Sequence, residues 1–129
     1  MTDNSFTINT NESEYNISAC VRLIGEDVLV SIWGGEKPHI GAVAMAQPRK
    51  SLKDDSLTSS TASVFTYVGH KEDELAKAVS EIMAAVLKTK VVVTAGIHWD
   101  NLSSGGIQKV IQNSKILVDL ILERLTSII

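Results

Sequence analysis

The stretch YNISACVRL at residues 15–23 alternates strictly between two kinds of side chain. Its odd positions hold Tyr, Ile, Ala, Val and Leu, and its even positions hold Asn, Ser, Cys and Arg. Side chains of a strand point alternately to opposite faces, so this period of two predicts a strand with one buried face. A turn follows at Gly25-Glu26-Asp27, and residues 28–33 read as a second strand. The two segments together predict a β-hairpin.

Two more strands are predicted downstream, at residues 42–46 and at residues 62–68, where Val, Phe, Thr and Tyr are frequent. The acidic residues 72–74 then suit the N-terminal end of a helix. That helix has an apolar stripe at helical spacing, which predicts the side it buries. The stripe consists of Leu75, Val79, Ile82 and Val86.

Residues 89–97 contain three consecutive valines and predict a central strand that is covered on both faces. A last helix is expected to begin at Ser103 or Ser104 and to run to about Thr126. Its predicted apolar stripe is Ile107, Val110, Ile111, Leu117, Leu120 and Ile121. The order βββ-β-α-β-α predicts an α+β fold, a mainly antiparallel sheet with two helices packed on it.

The 129 residues are 44% hydrophobic and 21% charged, as in an ordinary globular domain. Residues 1–13 are polar and are expected to form a flexible N-terminus, followed by a single domain over residues 14–129. Residues 47–61 combine basic, acidic and hydroxyl side chains and are predicted to be one long loop. A connection of this length is usually functional or mobile.

The composition also argues against several classes of function. A net charge of −3 without a basic block makes nucleic acid an improbable partner. Cys20 is the only cysteine, which excludes an intramolecular disulfide and favours a reducing compartment. The N-terminus has no apolar signal core, and no apolar run reaches the ~18 residues of a membrane span. The expected location is the cytoplasm.

Three histidines, His39, His70 and His98, each lie in a glycine-bearing stretch between apolar segments. With Asp73 or Asp100 they offer ligands for a metal, but their spacing matches no compact ligand motif. The alternative is that they bond to backbone at strand ends. No serine lies in a Gly-x-Ser-x-Gly sequence, whereas acid–base chemistry by one of the histidines stays open.

Anion binding has more support from the residue types. Gly34, Gly35 and Gly41 can present backbone N–H groups, and residues 49–61 offer arginine, lysine and hydroxyl donors for a phosphate. No dinucleotide-binding or P-loop motif is present, and the alternative is a merely solvated loop. Trp33 and Trp99 flank two of the glycine stretches, where they either stack on a flat ring such as a flavin or are ordinary half-buried aromatics.

Several of these stretches together resemble one family, the LpdD-like prenylated flavin chaperones, small proteins that include the D subunit accompanying gallate-type decarboxylases. The most specific similarity combines Gly34-Gly35-x-x-Pro38-His39-Ile40-Gly41-Ala42-Val43 with Thr94-Ala95-Gly96-Ile97-His98. Further similarity lies in Pro48-Arg49-x-Ser51-Leu52, in Gly69-His70-Lys71-x-Asp73-Glu74 and in Asn113-Ser114. The resemblance extends from Ser18 to the end of the chain.

This resemblance implies a protein that is not an enzyme. It implies a cytoplasmic, chaperone-like carrier of prenylated flavin mononucleotide or FMN for a UbiD-type decarboxylase, with a fold similar to that of proteasome assembly chaperones and a tendency to form homodimers. One pocket is expected to hold the flavin. Its expected cofactor-binding residues are Gly34, Gly35, Pro38, His39, Gly41, Arg49, Ser51, Ser59, Ser60, His70, Gly96 and His98. Two alternatives remain, an assembly chaperone that binds only protein and dimerises through the last helix, and a small His-dependent enzyme.

Overall fold

Within the residues that the structure describes, six strands form one sheet, in the spatial order β1-β2-β3-β6-β4-β5. The structure is a computed structural model and describes residues 4–67 and 72–128. The strands are β1 (Ser5–Asn9), β2 (Ile17–Ile24), β3 (Asp27–Gly35), β4 (Ala42–Lys50), β5 (Thr58–Thr66) and β6 (Val91–His98), and the helices are α1 (Asp73–Leu87) and α2 (Ser104–Ile128). Neighbouring strands are antiparallel except for β3 and β6, which run parallel. The predicted α+β class, with a mainly antiparallel sheet and two helices, is confirmed.

Both helices pack against the same face of the sheet. The alternation predicted for β2 places Ile17, Ala19 and Val21 on that face, opposite Ile32 and Val30 of β3. Helix α1 lies over β4, β5 and β6, and α2 lies over β1 and β2. One core joins the two helices to the sheet. The opposite face of the sheet, which we call the open face, is not covered by any described helix.

The predicted strand boundaries need two corrections. Residues 5–9, expected to belong to a flexible N-terminus, form the edge strand β1. Residues 47–61 are not one long loop, because β4 and β5 extend into them and leave only residues 51–57 as a connection. Pro48 lies within this longer β4. It is tolerated because it lies past the last residue of β4 that pairs with β6, so no ladder bond from its nitrogen is needed.

The helices bury smaller residues than the predicted stripes contain. Helix α1 faces the sheet through Ala76, Ser80, Met83 and Ala84 beside the predicted Val79, whereas Ile82 and Val86 are exposed. Small residues four apart allow a helix to approach a sheet closely, and this decides which side of α1 is buried.

Helix α2 shows the same kind of difference. Leu117 and Ile121 are buried as predicted, but Ile107 and Ile111 are exposed, and Asn113 and Ser114 are buried beside the apolar residues. Strand β6 is central, as predicted, but it is buried on one face only. Within the described residues, neither helix is long and apolar enough to cross a membrane.

Candidate functional site

The parallel pair of strands determines where the candidate site lies. Strands β3 and β6 end side by side, at Gly35 and His98, and β4 begins at the same edge with Ala42 opposite Ala95. Helix α1 also begins there, since it follows β5, which runs antiparallel to β4. We call this region the carboxyl edge: residues 34–41, residues 96–100 and Glu72. It brings His39 and His98 to the same edge of the sheet, although they are far apart in sequence.

At three glycines of the carboxyl edge, the protein's own atoms occupy the space that a side chain would need. A Cβ on Gly96 would overlap the carbonyl oxygen of His39, and a Cβ on Gly35 would overlap the carbonyl oxygen of His98. Gly35 also has a φ of +89°, which side chains disfavour. A Cβ on Gly41 would overlap the Glu72 carboxylate. These glycines therefore allow close packing inside the protein.

Backbone hydrogen bonds hold the connection 36–41 against β6. The N–H of Glu36 donates to the carbonyl oxygen of His98 over 2.8 Å, and the N–H of Gly41 donates to that of Ala95 over 2.9 Å. Both ends of the connection are thus bound to the same strand. A loop fixed in this way presents its remaining side chains in a preformed arrangement.

His39 and Glu72 form the more buried of two polar pairs. Nε2 of His39 lies 2.8 Å from Oε1 of Glu72, with side-chain exposures of 23% and 12%. The same Oε1 accepts the backbone N–H of Ile97 over 3.3 Å. Nδ1 of His39 lies 2.8 Å from the carbonyl oxygen of Lys37. Glu72 thereby links the connection 36–41, strand β6 and the start of α1.

His98 and Asp100 form a second, exposed pair. Nε2 of His98 lies 2.7 Å from Oδ1 of Asp100, and Nζ of Lys37 lies 3.7 Å from the same oxygen. The backbone N–H of Asp100 donates to Oε2 of Glu36 over 3.1 Å. The hydrogen bond from His98 is the main reason that the pKa of Asp100 lies below its usual value, and Glu36 and the charge of Lys37 act in the same direction.

The two tryptophans that were considered as stacking groups have different surroundings. The Trp99 ring packs over the backbone of Gly34 and Gly35, where a Cβ would come within 3.4 and 3.1 Å of it. The ring centroid of Trp99 lies 5.2 Å from that of Tyr15, at an interplanar angle of 78°. Its contacts are thus those of a packing residue. Trp33 is half-buried and pairs with Ser18 on the open face.

The basic and hydroxyl residues predicted to share a pocket with the histidines lie at the other end of the sheet. Arg49 pairs with Ser59 near the end of β4, seven residues beyond Ala42, which is about 23 Å at the ordinary rise of a strand. Nε of Arg49 donates to Oγ1 of Thr61 over 2.7 Å. Within one chain the structure therefore does not bring Arg49 together with the histidines, because β4 is longer than expected and separates the two groups.

Two other hydroxyl residues of the predicted set also belong to that far end. Oγ of Ser60 donates to the carbonyl oxygen of Glu81 over 2.7 Å, and Oγ of Ser51 accepts the N–H of Lys53 over 3.2 Å. A cleft of about 480 Å³ opens at the same end beside Asp27, Met45 and Lys90. His70 lies outside the described residues, and its predicted role stays a prediction.

Two residues of the candidate site were not singled out from the sequence, Glu72 and Lys37. Both act across distance in the chain, Glu72 on His39 and Lys37 on Asp100, so no local pattern marks them. The available sequence signal was the occurrence of glycines beside histidines. It identified the segments that meet at the carboxyl edge, but not Glu72, whose carboxylate links them. In residues 4–67 and 72–128, no three side chains of His, Cys, Asp or Glu lie close enough together to hold a metal ion.

Comparison with known proteins gives three consistent similarities. The family model described as prenylated flavin chaperone LpdD-like domain matches residues 11–126. Protein LpdD of Lactiplantibacillus plantarum is 26% identical over 103 residues, which cover 78% of this chain and 71% of that protein. A solved chain from a chaperone complex for yeast 20S proteasome assembly has a similar fold, with a TM-score of 0.57, 14% identity, and coverage of 96% of this chain and 97% of that one.

Proposed function

The chain belongs to the family of prenylated flavin chaperone LpdD-like domains, and from this we propose that it is a non-catalytic carrier of flavin mononucleotide in its prenylated form. Its client in this proposal is a UbiD-type decarboxylase in the cytoplasm, and the carrier acts as a homodimer. Membership of a chaperone family argues against the small His-dependent enzyme considered above.

The observation that carries the proposal is the meeting of His39, His98 and Lys37 at one preformed edge. Flavin mononucleotide combines a ring with polar edges and an anionic phosphate. The half-exposed imidazole of His98 can hydrogen-bond the polar edge of the ring, and the exposed ammonium of Lys37 can pair with the phosphate. Both ring nitrogens of His39 already lie against Lys37 and Glu72, so His39 positions the connection that carries Lys37. Pro38 lies between these side chains and stiffens the connection.

The glycines of the motif have a supporting role in this proposal. Gly34, Gly35, Gly41 and Gly96 pack against Trp99, His98, Glu72 and His39, and so position the side chains that would face the ring. Arg49, Ser51, Ser59 and Ser60 lie too far away to reach a flavin bound at the carboxyl edge of their own chain. Lys37 takes the place of Arg49 as the proposed phosphate partner.

Titration of the purified chain with flavin mononucleotide and with its prenylated form tests the proposal, with flavin absorbance and thermal shift as readouts. We expect saturable binding, and about a tenfold loss of affinity in Lys37→Ala, because a charge-assisted hydrogen bond to phosphate is lost. Lys90→Ala is the matched control. Lys90 is equally exposed and also pairs with an aspartate, Asp27, but at the opposite end of β6. Absence of any change at saturating ligand, or equal losses in both variants, would refute the carrier role.

A protein-binding assembly chaperone is the second candidate, and the open face favours it. Met45, Phe65 and Tyr67 are exposed there, and the rings of Phe65 and Tyr67 contact each other edge to face at 5.6 Å. Exposed apolar side chains grouped in this way often mark a protein contact. Capture of a decarboxylase by the flavin-free chain, lost in Met45→Glu but not in Lys37→Ala, would favour this function over flavin carriage.

A further inference from the structure

Strand β5 is an edge of the sheet, and its outward backbone groups can be identified. The N–H of Tyr67 donates to the carbonyl oxygen of Gly41, and the N–H of Ser51 donates to that of Leu57. In an antiparallel ladder these bonds recur at every second residue, so the odd positions of β5 bond to β4. The even positions from Thr58 to Thr66 therefore direct their N–H and C=O groups away from the sheet. No described backbone group bonds to them there.

This edge lacks the features that normally protect a sheet from further pairing. The sequence TSSTASVFT from Thr58 to Thr66 contains no charged residue and no proline. Edge strands of natural proteins are usually short, charged, bulged or interrupted by proline. The other edge strand, β1, has five residues, whereas β5 has nine. Phe65 on this strand is 66% exposed. A long, uncharged edge with an exposed aromatic residue is suited to strand addition.

We propose that β5 pairs antiparallel with β5 of a second copy of this chain, about a twofold axis through Ala62. This register uses all the outward even positions: Thr58 lies opposite the partner's Thr66, Ser60 opposite the partner's Val64, and Ala62 opposite the partner's Ala62. It adds about ten backbone hydrogen bonds. The two sheets become one continuous sheet of twelve strands.

The side chains of the open face are complementary in this register. Ser59 lies opposite the partner's Phe65, and Arg49 is the neighbour of Ser59 within its own sheet. Arg49 already extends over β5, since its Nε bonds Oγ1 of Thr61. Its guanidinium also donates to the carbonyl oxygen of Lys50. The small Ser59 leaves room for the face of this guanidinium to stack on the partner's Phe65 ring, a cation–π arrangement that occurs twice in the dimer. No like charges meet along the strand, because β5 carries none.

The dimer also brings the two separated groups of motif residues to the same end of the joined sheet. In this register the partner's Arg49, the partner's Ser59, Phe65 and Val43 lie in one row across four neighbouring strands. The partner's Arg49 is therefore three strand spacings, about 14 Å, from Val43 of β4, which lies near the carboxyl edge. A basic group therefore approaches the flavin site from the second copy. This consequence rests on the proposed flavin carriage, whereas the pairing itself does not and is tested without flavin.

Sedimentation velocity of the chain at micromolar concentration is the first test, and we expect a dimer. Thr61 lies opposite the partner's Ser63, so T61E/S63E places carboxylates opposite each other and we expect association about tenfold weaker or more. T61E/S63K changes the same residues but places opposite charges together, and we expect the dimer to persist. Far-UV circular dichroism confirms the fold of both. A monomeric native chain, or equal association of both variants, overturns the proposal.

Disulfide trapping tests the register directly, in a Cys20→Ser background. Ala62→Cys places two thiols opposite each other across the axis, about 5.5 Å apart between Cα atoms, which is within disulfide reach. Val64→Cys is the matched control, because the partner's copy of that position is displaced by four residues, about 13 Å along the strand. We expect a covalent dimer on mild oxidation of the first variant only. Equal cross-linking of both variants, or of neither, contradicts this register.

Discussion

The carbonyl oxygen of His39 lies where a side chain on Gly96 would begin. This contact fixes the connection 36–41 on the end of β6, and its tightness leaves no room for adjustment, since the obstructing atom belongs to the backbone. We therefore predict that Gly96→Ala lowers the free energy of unfolding by about 2–3 kcal/mol through overpacking. Urea unfolding followed by circular dichroism measures the loss.

The matched control for Gly96→Ala is Gly105→Ala. A Cβ at this position in the first turn of α2 meets only Oγ of Ser103, at 3.9 Å. Because alanine favours a helix over glycine, we expect no loss or a gain of up to about 1 kcal/mol. Equal destabilisation by the two substitutions would mean that the His39 contact is not the cause.

The pair of His39 and Glu72 predicts an energetic coupling. Both side chains are largely buried and lie 2.8 Å apart. A double-mutant cycle with His39→Ala and Glu72→Ala is expected to give an interaction energy of about 1 kcal/mol from denaturant unfolding. The same cycle on Lys37 and Asp100 serves as the comparison, and we expect near zero there because both side chains are at least half exposed. A larger coupling in the exposed pair would contradict the structure.

The hydrogen bond between His98 and Asp100 predicts a measurable titration. It holds the pKa of Asp100 below the usual value, so this carboxylate favours the folded state above the pKa of the unfolded chain. That contribution is lost as the pH falls through the lowered pKa of the folded state. NMR titration of side-chain carboxyl groups is expected to show the pKa of Asp100 rising toward its usual value in His98→Ala.

Asp54 provides the control for that titration. Hydrogen bonds from the side chain and backbone of Ser56 lower its pKa too, in the connection 51–57 at the far end of the sheet. We expect its pKa to be unaffected by His98→Ala. A parallel rise for Asp54 would indicate a general effect of the substitution.

The buried amide of Asn113 is expected to stabilise the fold through its hydrogen bonds. It is fully buried on α2, and its Nδ2 donates to the carbonyl oxygens of Tyr15 over 2.8 Å and Glu14 over 3.2 Å. Asn113→Ala leaves these carbonyls without that donor. We expect the free energy of unfolding to fall by about 2–3 kcal/mol, measured by thermal or urea denaturation. Gln112→Ala, at the exposed neighbouring position, is expected to have an effect within about 0.5 kcal/mol.

The strands with large apolar residues were predictable from the sequence. The alternation in residues 15–23 identified β2, and the polar turn after it identified the hairpin with β3. Strand β4 was predicted too short, because Gln47 and Pro48 are poor strand formers and only tertiary pairing with β5 extends it. Strand β1 was missed, since its five residues contain only two apolar side chains, Phe6 and Ile8, and it is ordered by pairing with β2.

The candidate site was predictable in part. The glycines near His39 and His98 indicated two candidate segments, and the structure brings both to one edge of the sheet because β3 and β6 are parallel. The position of Arg49 was not predictable, since it depends on the true length of β4. Nor did the sequence reveal that Gly96 and Gly35 pack against backbone, because a glycine motif has the same sequence whether a ligand or the protein fills the space.

The pairing of β3 with β6 has a consequence for the order in which the chain folds. The hairpins β2–β3 and β4–β5 join neighbours in sequence, whereas Val28 must find Val91 after β4, β5 and α1 have been made. Contacts between segments that are distant in sequence have a larger entropic cost of loop closure than contacts within a hairpin, and they form later. The carboxyl edge exists only once this closure has happened, so a nascent or partly folded chain lacks the proposed flavin site. Pulse-labelled hydrogen exchange is expected to show protection of the β6 amides after those of the β2–β3 hairpin.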